Sequence, residues 1–248
     1  MPATFYYMRD DELFTPDAGV AGSVAADYTA GWLCDRRPGR PVRGPIGGSL
    51  SLTVTNPAKT CDAAVIANSN LSVAAVLGGD ITLSLTPVTP ENGIPLNKWG
   101  TFSPVSVDTV TLTVTTNPVD AIIGELYVGK IRSLARNLQR SQNVWQFETY
   151  AIRPGAEFGS VQPYDKGLEG RRLNGANLYS PTEFDDMLAW FRSCRDGSRP
   201  TIIMPDGDVD DAWIVNFTAF EWRRAPMSSG EIWYEVGMAF EELPRSRW

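Results

Sequence analysis

The sequence contains no histidine at all. That absence excludes Ser-His-Asp and Cys-His nucleophilic sites and the usual His-bearing zinc sites. Cysteine is scarce: Cys34, Cys61 and Cys194 are odd in number, far apart and without a Cys-x-x-Cys spacing, so no disulfide framework is expected. No run approaches the roughly 18 apolar residues of a membrane span, so no membrane insertion is expected. Met1 to Phe14 lacks the basic start and apolar core of a signal peptide, which predicts a chain made and kept in a cytoplasm unless it leaves as part of a particle. Positive charge is also in deficit: a net charge of −7 and a pI near 4.7 argue against a general nucleic-acid binder, which draws its non-specific affinity from basic patches. Lysine is rarer than arginine, four against eighteen, and arginine suits fixed bidentate contacts at interfaces.

What is present is turn-rich and apolar enough to fold. A 43% hydrophobic and 21% charged composition is that of a globular chain, and 22 glycines with 18 prolines indicate many turns. The 248 residues favour two domains. Residues 1–130 read as a β-sandwich with an N-terminal arm or edge strand around Phe5, Tyr6 and Tyr7. Leu50, Leu52 and Val54 alternate with Ser51, Thr53 and Thr55, and the same period recurs over Ile81 to Thr86 and Thr109 to Thr115, which predicts half-buried strands. Ala63 to Ala67 and Leu71 to Leu77 are more continuously apolar, as inner strands are, with a turn over Asn68, Ser69 and Asn70. Residues 131–141 read as the junction, either a short helical turn or an irregular connector.

The C-terminal quarter is the most legible stretch. Ser180, Pro181 and Glu183 form a capping box ahead of Phe184, Met187, Leu188 and Phe191 at helical spacing, predicting a helix over 181–196. A long hairpin is predicted over 212–243, its strands Ala212 to Arg224 and Glu231 to Leu243. Strict alternation puts Trp213, Val215 and Phe217 on one face of the first strand and Ile214, Phe220 and Trp222 on the other. Both faces then need cover, and one helix covers only one, so the other face is expected to meet the other domain, another subunit or another protein. Trp213, Phe220, Trp222 and Trp233 are the candidate contacts between elements or subunits.

Candidate chemistry is thin. Asp206, Asp208 and Asp210 alternate like calcium ligands, but the glycine and glutamate an EF-hand loop requires are missing at Asp211 and Phe217, so no metal is expected. Glu125, Glu148, Glu157 and Glu169 are carboxylates that no spacing pairs across a cleft. No catalytic residue and no cofactor is assigned, and the chain is expected not to be an enzyme. Arg36, Arg37, Arg40 and Arg43 lie among prolines and glycines, either as an anion- or partner-binding loop or as a connector whose arginines pair with acids elsewhere. Loop aromatics, Trp32 and Trp99 with Phe102 and Tyr164, are candidate stacking platforms for sugar, or plugs for the end of their own sandwich.

The run "DAAVIANSNLSVAAV" with the closing "GELYVGKI" resembles the jelly-roll modules common in tailed-bacteriophage virion proteins. The segment "SPTEFDDMLAWF", followed by "WYEVGMAFEEL", resembles the one-helix split-barrel domains of phage tail-tube and distal-tail proteins. The resemblance implies a mainly β chain: a jelly-roll-like β-sandwich over 1–130, then a one-helix split β-barrel domain over 131–248. It further implies a non-enzymatic tail or baseplate structural protein, located in the virion tail after assembly in the host cytoplasm. Its partners would be copies of itself in a threefold or sixfold ring and other tail or baseplate proteins. The alternative is a carbohydrate-binding module recognising host-surface sugar.

Overall fold

The computed structural model describes residues 4–13, 20–35, 40–45, 48–87, 97–115, 120–136, 139–142, 151–152, 164–165, 171–194, 199–205, 211–227 and 230–243. Among the described residues the chain is mainly β: two large antiparallel sheets in a sandwich-like arrangement, a separate two-stranded pair and one α-helix. In chain order the strands are β1 (Tyr6–Met8), β2 (Val20–Gly22), β3 (Val42–Arg43), β4 (Leu50–Ser69), β5 (Ala75–Gly79), β6 (Leu83–Leu85), β7 (Lys98–Val114) and β8 (Ile122–Gly129). There follow β9 (Ile131–Ser133), β10 (Gln139–Gln142), β11 (Ala151–Ile152), β12 (Tyr164–Asp165), β13 (Arg172–Tyr179), helix α1 (Pro181–Ser193), β14 (Thr201–Met204), β15 (Trp213–Pro226) and β16 (Ile232–Glu242).

The first sheet runs β3-β8-β4-β7-β5-β6, with β2 also pairing β4. Its spine is β4, 20 residues long, and the two halves of that strand behave differently. Leu50, Leu52 and Val54 enter the first core while Thr53 faces Thr111 across the ladder, their hydroxyls 3.3 Å apart. Register shifts at Thr55/Lys59 and Cys61/Ala63 then bend the strand. Beyond the bend Ala64 and Ile66 stay in the first core, while Ala63, Val65 and Ala67 enter a second one between the sheets. Small side chains suit a wall buried on both sides. The strand continues through Asn68, which takes a left-handed φ of 51°, so the expected turn begins later than its composition implies.

The second sheet runs β10-β13-β16-β15-β14-β1-β9. The N-terminal segment is therefore not an arm of the first sheet: β1 lies inside the second, paired with β14 and β9. Phe5 and Tyr7 enter the core under α1, and Met8 enters the core between the sheets. The stretch 131–141 carries two short strands, β9 and β10, and no helical turn among its described residues. These consecutive strands stand at opposite edges of the sheet. Six residue steps separate Ser133 from Gln139, at most about 21 Å of chain, whereas seven flat strands would spread over about 29 Å. The sheet must therefore roll its edges toward each other. Two contacts of Arg136, just past β9, mark the approach: its carbonyl accepts a 2.9 Å bond from the Tyr179 hydroxyl of β13, and its guanidinium lies 4.3 Å from the Trp233 ring of β16.

Helix α1 packs against this rolled sheet. Its capping box is complete: Ser180 Oγ accepts from the Glu183 amide and Glu183 Oε2 from the Ser180 amide. It ends at Ser193, capped by Cys194, and residues 195–196 of the expected helix lie outside the described residues. Trp190 is the hub, fully buried, stacked on Tyr7 at 4.1 Å and ringed by Phe5, Phe217 and Phe240. Its Nε1 donates to Thr201 Oγ1 at 2.9 Å. The sheets are joined by Asn97, whose Oδ1 accepts from the Asn68 amide at 2.8 Å and whose Nδ2 donates to the Ala212 carbonyl at 2.9 Å.

Candidate functional site

The short turn Ala30–Cys34 lies against the first sheet and is anchored from below. Leu33 and Cys34 are buried in the first core, and the Cys34 thiol bonds the Leu126 carbonyl. That anchoring leaves Trp32 half-buried at the edge of the core. Tyr28 meets its ring edge-on, centroids 5.9 Å apart at 68°. The Arg40 guanidinium lies over the Trp32 ring at 4.7 Å and pairs with Asp35 at 3.5 Å. Arg43 on β3 stands beside them, bonded to Asp120 at 2.7 Å and to the Tyr28 side chain. Those hydrogen bonds, Asp120 first, raise the Arg43 pKa above its ordinary value. Of the four arginines of this loop, Arg40 and Arg43 thus pair with acids, as the connector reading expects; Arg36 and Arg37 lie outside the described residues.

Chemically this is a cluster of two aromatic rings, the Trp32 ring carrying the Arg40 guanidinium over its face, with a carboxylate acceptor alongside. An aromatic face with polar groups alongside accommodates a ligand that is apolar on one side and hydroxylated at its rim.

Trp99 does not belong to it. It is only 5% exposed and lies in the core between the sheets, its ring 5.8 Å from Tyr6, so the expectation that it stacks on sugar is corrected: it stands on β7 and fills the space between the two sheets, not the end of its own sandwich. Phe102 packs half-buried on the first core, and the Tyr164 side chain lies outside the described residues.

The hairpin residues separate just as clearly. Trp213 is buried, with the Arg171 guanidinium 3.9 Å over its ring and its Nε1 on Asp211 Oδ2 at 3.1 Å. Phe220 stacks on Phe191 of α1 at 4.6 Å. Trp222 stays 50% exposed, and Trp233 is half-buried under Arg136. The two-faced strand also needs correction. Phe217 faces Phe240, and Ala219 already faces Ala239, so Thr218 is one extra residue, a β-bulge that inverts the alternation. Phe217 and Phe220 consequently both meet Phe191. Phe220 and Trp222 share the helix face with Trp213, while Ile214 turns to the core between the sheets. The second face of the strand is thus covered at Ile214 by the first sheet, the other-domain option among those expected, and Phe220 and Trp222 do not lie on it.

Of the carboxylates, Asp206, Asp208, Asp210, Glu148, Glu157 and Glu169 lie outside the described residues, and Glu125 is fully buried. Among the described residues no group of three His, Cys, Asp or Glu is placed to hold a metal ion. One ionic cluster escaped sequence reasoning. Arg171 grips Glu242 with two bonds of 2.7 and 2.8 Å and also pairs with Asp211. Burial alone would lower the Arg171 pKa, but the hydrogen bonds and charges of Glu242 and then Asp211 raise it. Seventy-one residues separate Arg171 from Glu242, and no local pattern joins them.

No known family matches the sequence, and no curated protein matches it. Solved structures similar in shape include a chitosan-binding module from a Paenibacillus chitosanase/glucanase, at 15% identity and TM-score 0.36, covering 46% of this chain and 96% of the module. The lectin domain of lectinolysin complexed with Lewis B antigen aligns at 13% identity and TM-score 0.37, over 46% of this chain and 94% of its own. SpGH29 aligns at 12% identity and TM-score 0.40 over 50% of this chain, which spans only 29% of that protein. The first two of these are a carbohydrate-binding module and a lectin domain, further modules that bind fucose or other sugars align in the same way, and none of these structures is a phage protein. This overturns the tailed-bacteriophage resemblance and, with it, the tail, baseplate and ring-forming role it implied.

Proposed function

We propose that this chain is a non-catalytic carbohydrate-binding protein whose site is the platform of Tyr28, Trp32, Asp35 and Arg40. The observation that carries this reading is the half-buried Trp32 ring with a guanidinium over it and a carboxylate beside it. A pyranose has an apolar C–H face and a rim of hydroxyls, so it stacks on the indole once the Arg40 guanidinium swings off that ring, from where Arg40 donates to, and Asp35 accepts from, neighbouring hydroxyls. The 3.5 Å Arg40–Asp35 contact is long and its Arg40 side chain is 46% exposed, so Arg40 yields readily to a ligand. Affinity is set by one ring: roughly a dozen sugar atoms at about −0.3 kcal/mol each correspond to a Kd of about 2 mM for a single sugar residue. Longer glycans gain only what they touch beyond it.

A glycan array followed by calorimetric titration of the best binder tests this. Trp32→Ala should abolish the heat while leaving the thermal midpoint within a few degrees, and Arg40→Ala should weaken binding about tenfold. An array with no binder sinks the reading, and so does binding that survives Trp32→Ala but is lost in Trp222→Ala.

A further inference from the structure

We propose that the crevice between the first two turns of α1 and the strands β1, β9 and β13 binds a primary ammonium group carried on an unbranched alkyl stem. The crevice measures about 60 Å³, room for about four water-sized groups. Alternation along β1 sends Tyr7 under the helix, and two phenols stand at the buried side of the space: Tyr7, 3% exposed, and Tyr179, fully buried. The Tyr179 hydroxyl is taken up by the Arg136 carbonyl. The Tyr7 hydroxyl bonds to no described residue and opens into the crevice. A buried polar group without a partner is unfavourable, so this phenol points to a ligand that bonds it. Burial pushes it up to about 12, so at neutral pH it is a hydroxyl whose oxygen accepts.

The charges decide the sign of the ligand. Glu183 and Asp186, three residues apart on α1, both line the crevice. Glu183 is already engaged: its Oε2 accepts from the Ser180 amide and lies 3.9 Å from Arg136 Nε. Arg132, the register partner of Tyr7, is likewise held by Glu12 through bonds of 2.7 and 2.5 Å. Asp186 is exposed, forms no ion pair among the described residues, and is near enough for its charge to act on the Tyr7 phenol. One negative charge is thus left uncompensated at the mouth. The other walls are largely apolar, with Leu134, Ala135 and Met187, and offer water few of the partners it needs. An ammonium donates to the Tyr7 oxygen and the Asp186 carboxylate while its methylenes lie against Leu134 and Met187. A pyranose ring exceeds the space. A lysine side chain and a free polyamine both carry this group, and the site is separate from the Trp32 platform, which lies on the first sheet.

A ligand-observed NMR titration of the full chain with n-propylammonium at pH 7 tests it. Binding should saturate with a Kd on the order of 1 mM, and n-propanol, the uncharged isostere, should bind at least about tenfold more weakly. Asp186→Asn should weaken amine binding about tenfold and Tyr7→Phe about fivefold, both with the wild-type far-ultraviolet spectrum. Because the Tyr7 hydroxyl bonds nothing in the fold, Tyr7→Phe should also melt no lower than the wild type at pH 7, which loss of a structural hydroxyl would not give. Trp32→Ala should leave amine binding unchanged, so failure at the two sites is told apart. A capped lysine peptide and spermidine should both displace n-propylammonium, the tighter competitor marking the source of the stem. An absence of saturable binding, equal binding of n-propanol, or binding indifferent to both Asp186→Asn and Tyr7→Phe overturns the proposal.

Discussion

The two ends of one hairpin show how differently the same residue types behave. At its root, Trp213, Val215 and Phe217 are buried under α1, Ile214 is buried against the first sheet, and Glu242 is locked fully buried onto Arg171. At its tip the same pair of strands leaves Trp222 and Ile232 half in water. Tryptophan content does not distinguish them; cover does. The root has a helix on one side and a second sheet on the other, whereas the tip has only the first turn of the helix.

The largest effect expected on this contrast comes from Trp190, against which the root is packed. Trp190→Ala should cost about 4 kcal/mol in urea unfolding, through lost ring contacts and the cavity left behind. Trp222→Ala at the tip should cost less than about 1 kcal/mol. Equal losses would break the contrast. Next comes the buried ion pair. Arg171→Met strands the Glu242 carboxylate in a dry site, and urea unfolding should show a loss of about 3 kcal/mol. Adding Glu242→Leu should recover most of that loss, and failure to recover would mean the cluster stabilises the root beyond offsetting its own burial.

The smallest effect is a pH dependence. Burial pushes the Tyr7 phenol up to about 12. Below pH 10 the phenol is neutral in both folded and unfolded chains and contributes no pH dependence. Between about pH 10 and 12 it ionises only when the chain unfolds, so stability should fall by about 2 to 3 kcal/mol as pH rises through that window. Thermal melts of Tyr7→Phe should show a shallower alkaline decline than those of the wild type, while Trp222→Ala should leave the decline unchanged.

Local pattern carried much of the fold. The alternation of Leu50, Leu52 and Val54 and the Ser180–Glu183 capping box are each satisfied within a few residues, and each is realised as expected. The platform was half legible: Trp32 stood out as a loop aromatic and Arg40 as one of a loop cluster. Tyr28 and Asp35 carried no signal, because their role depends on a turn held down by Leu33 and Cys34. Trp99 looked equivalent to Trp32 in sequence and lies in the opposite environment, buried between the sheets.

By itself the sequence determined the long alternating strands, the capped helix and the long hairpin, because period, capping and turn chemistry act over one or two turns of chain. Tertiary structure alone decided that β1 joins β14 and β9, that Asn97 ties the two sheets, and that Arg171 meets Glu242. It also decided which way Phe220 and Trp222 face. A single extra residue at Thr218 inverts a period of two, and whether the strand takes that bulge depends on the register of β16 and the apolar face of α1, which lie far along the chain.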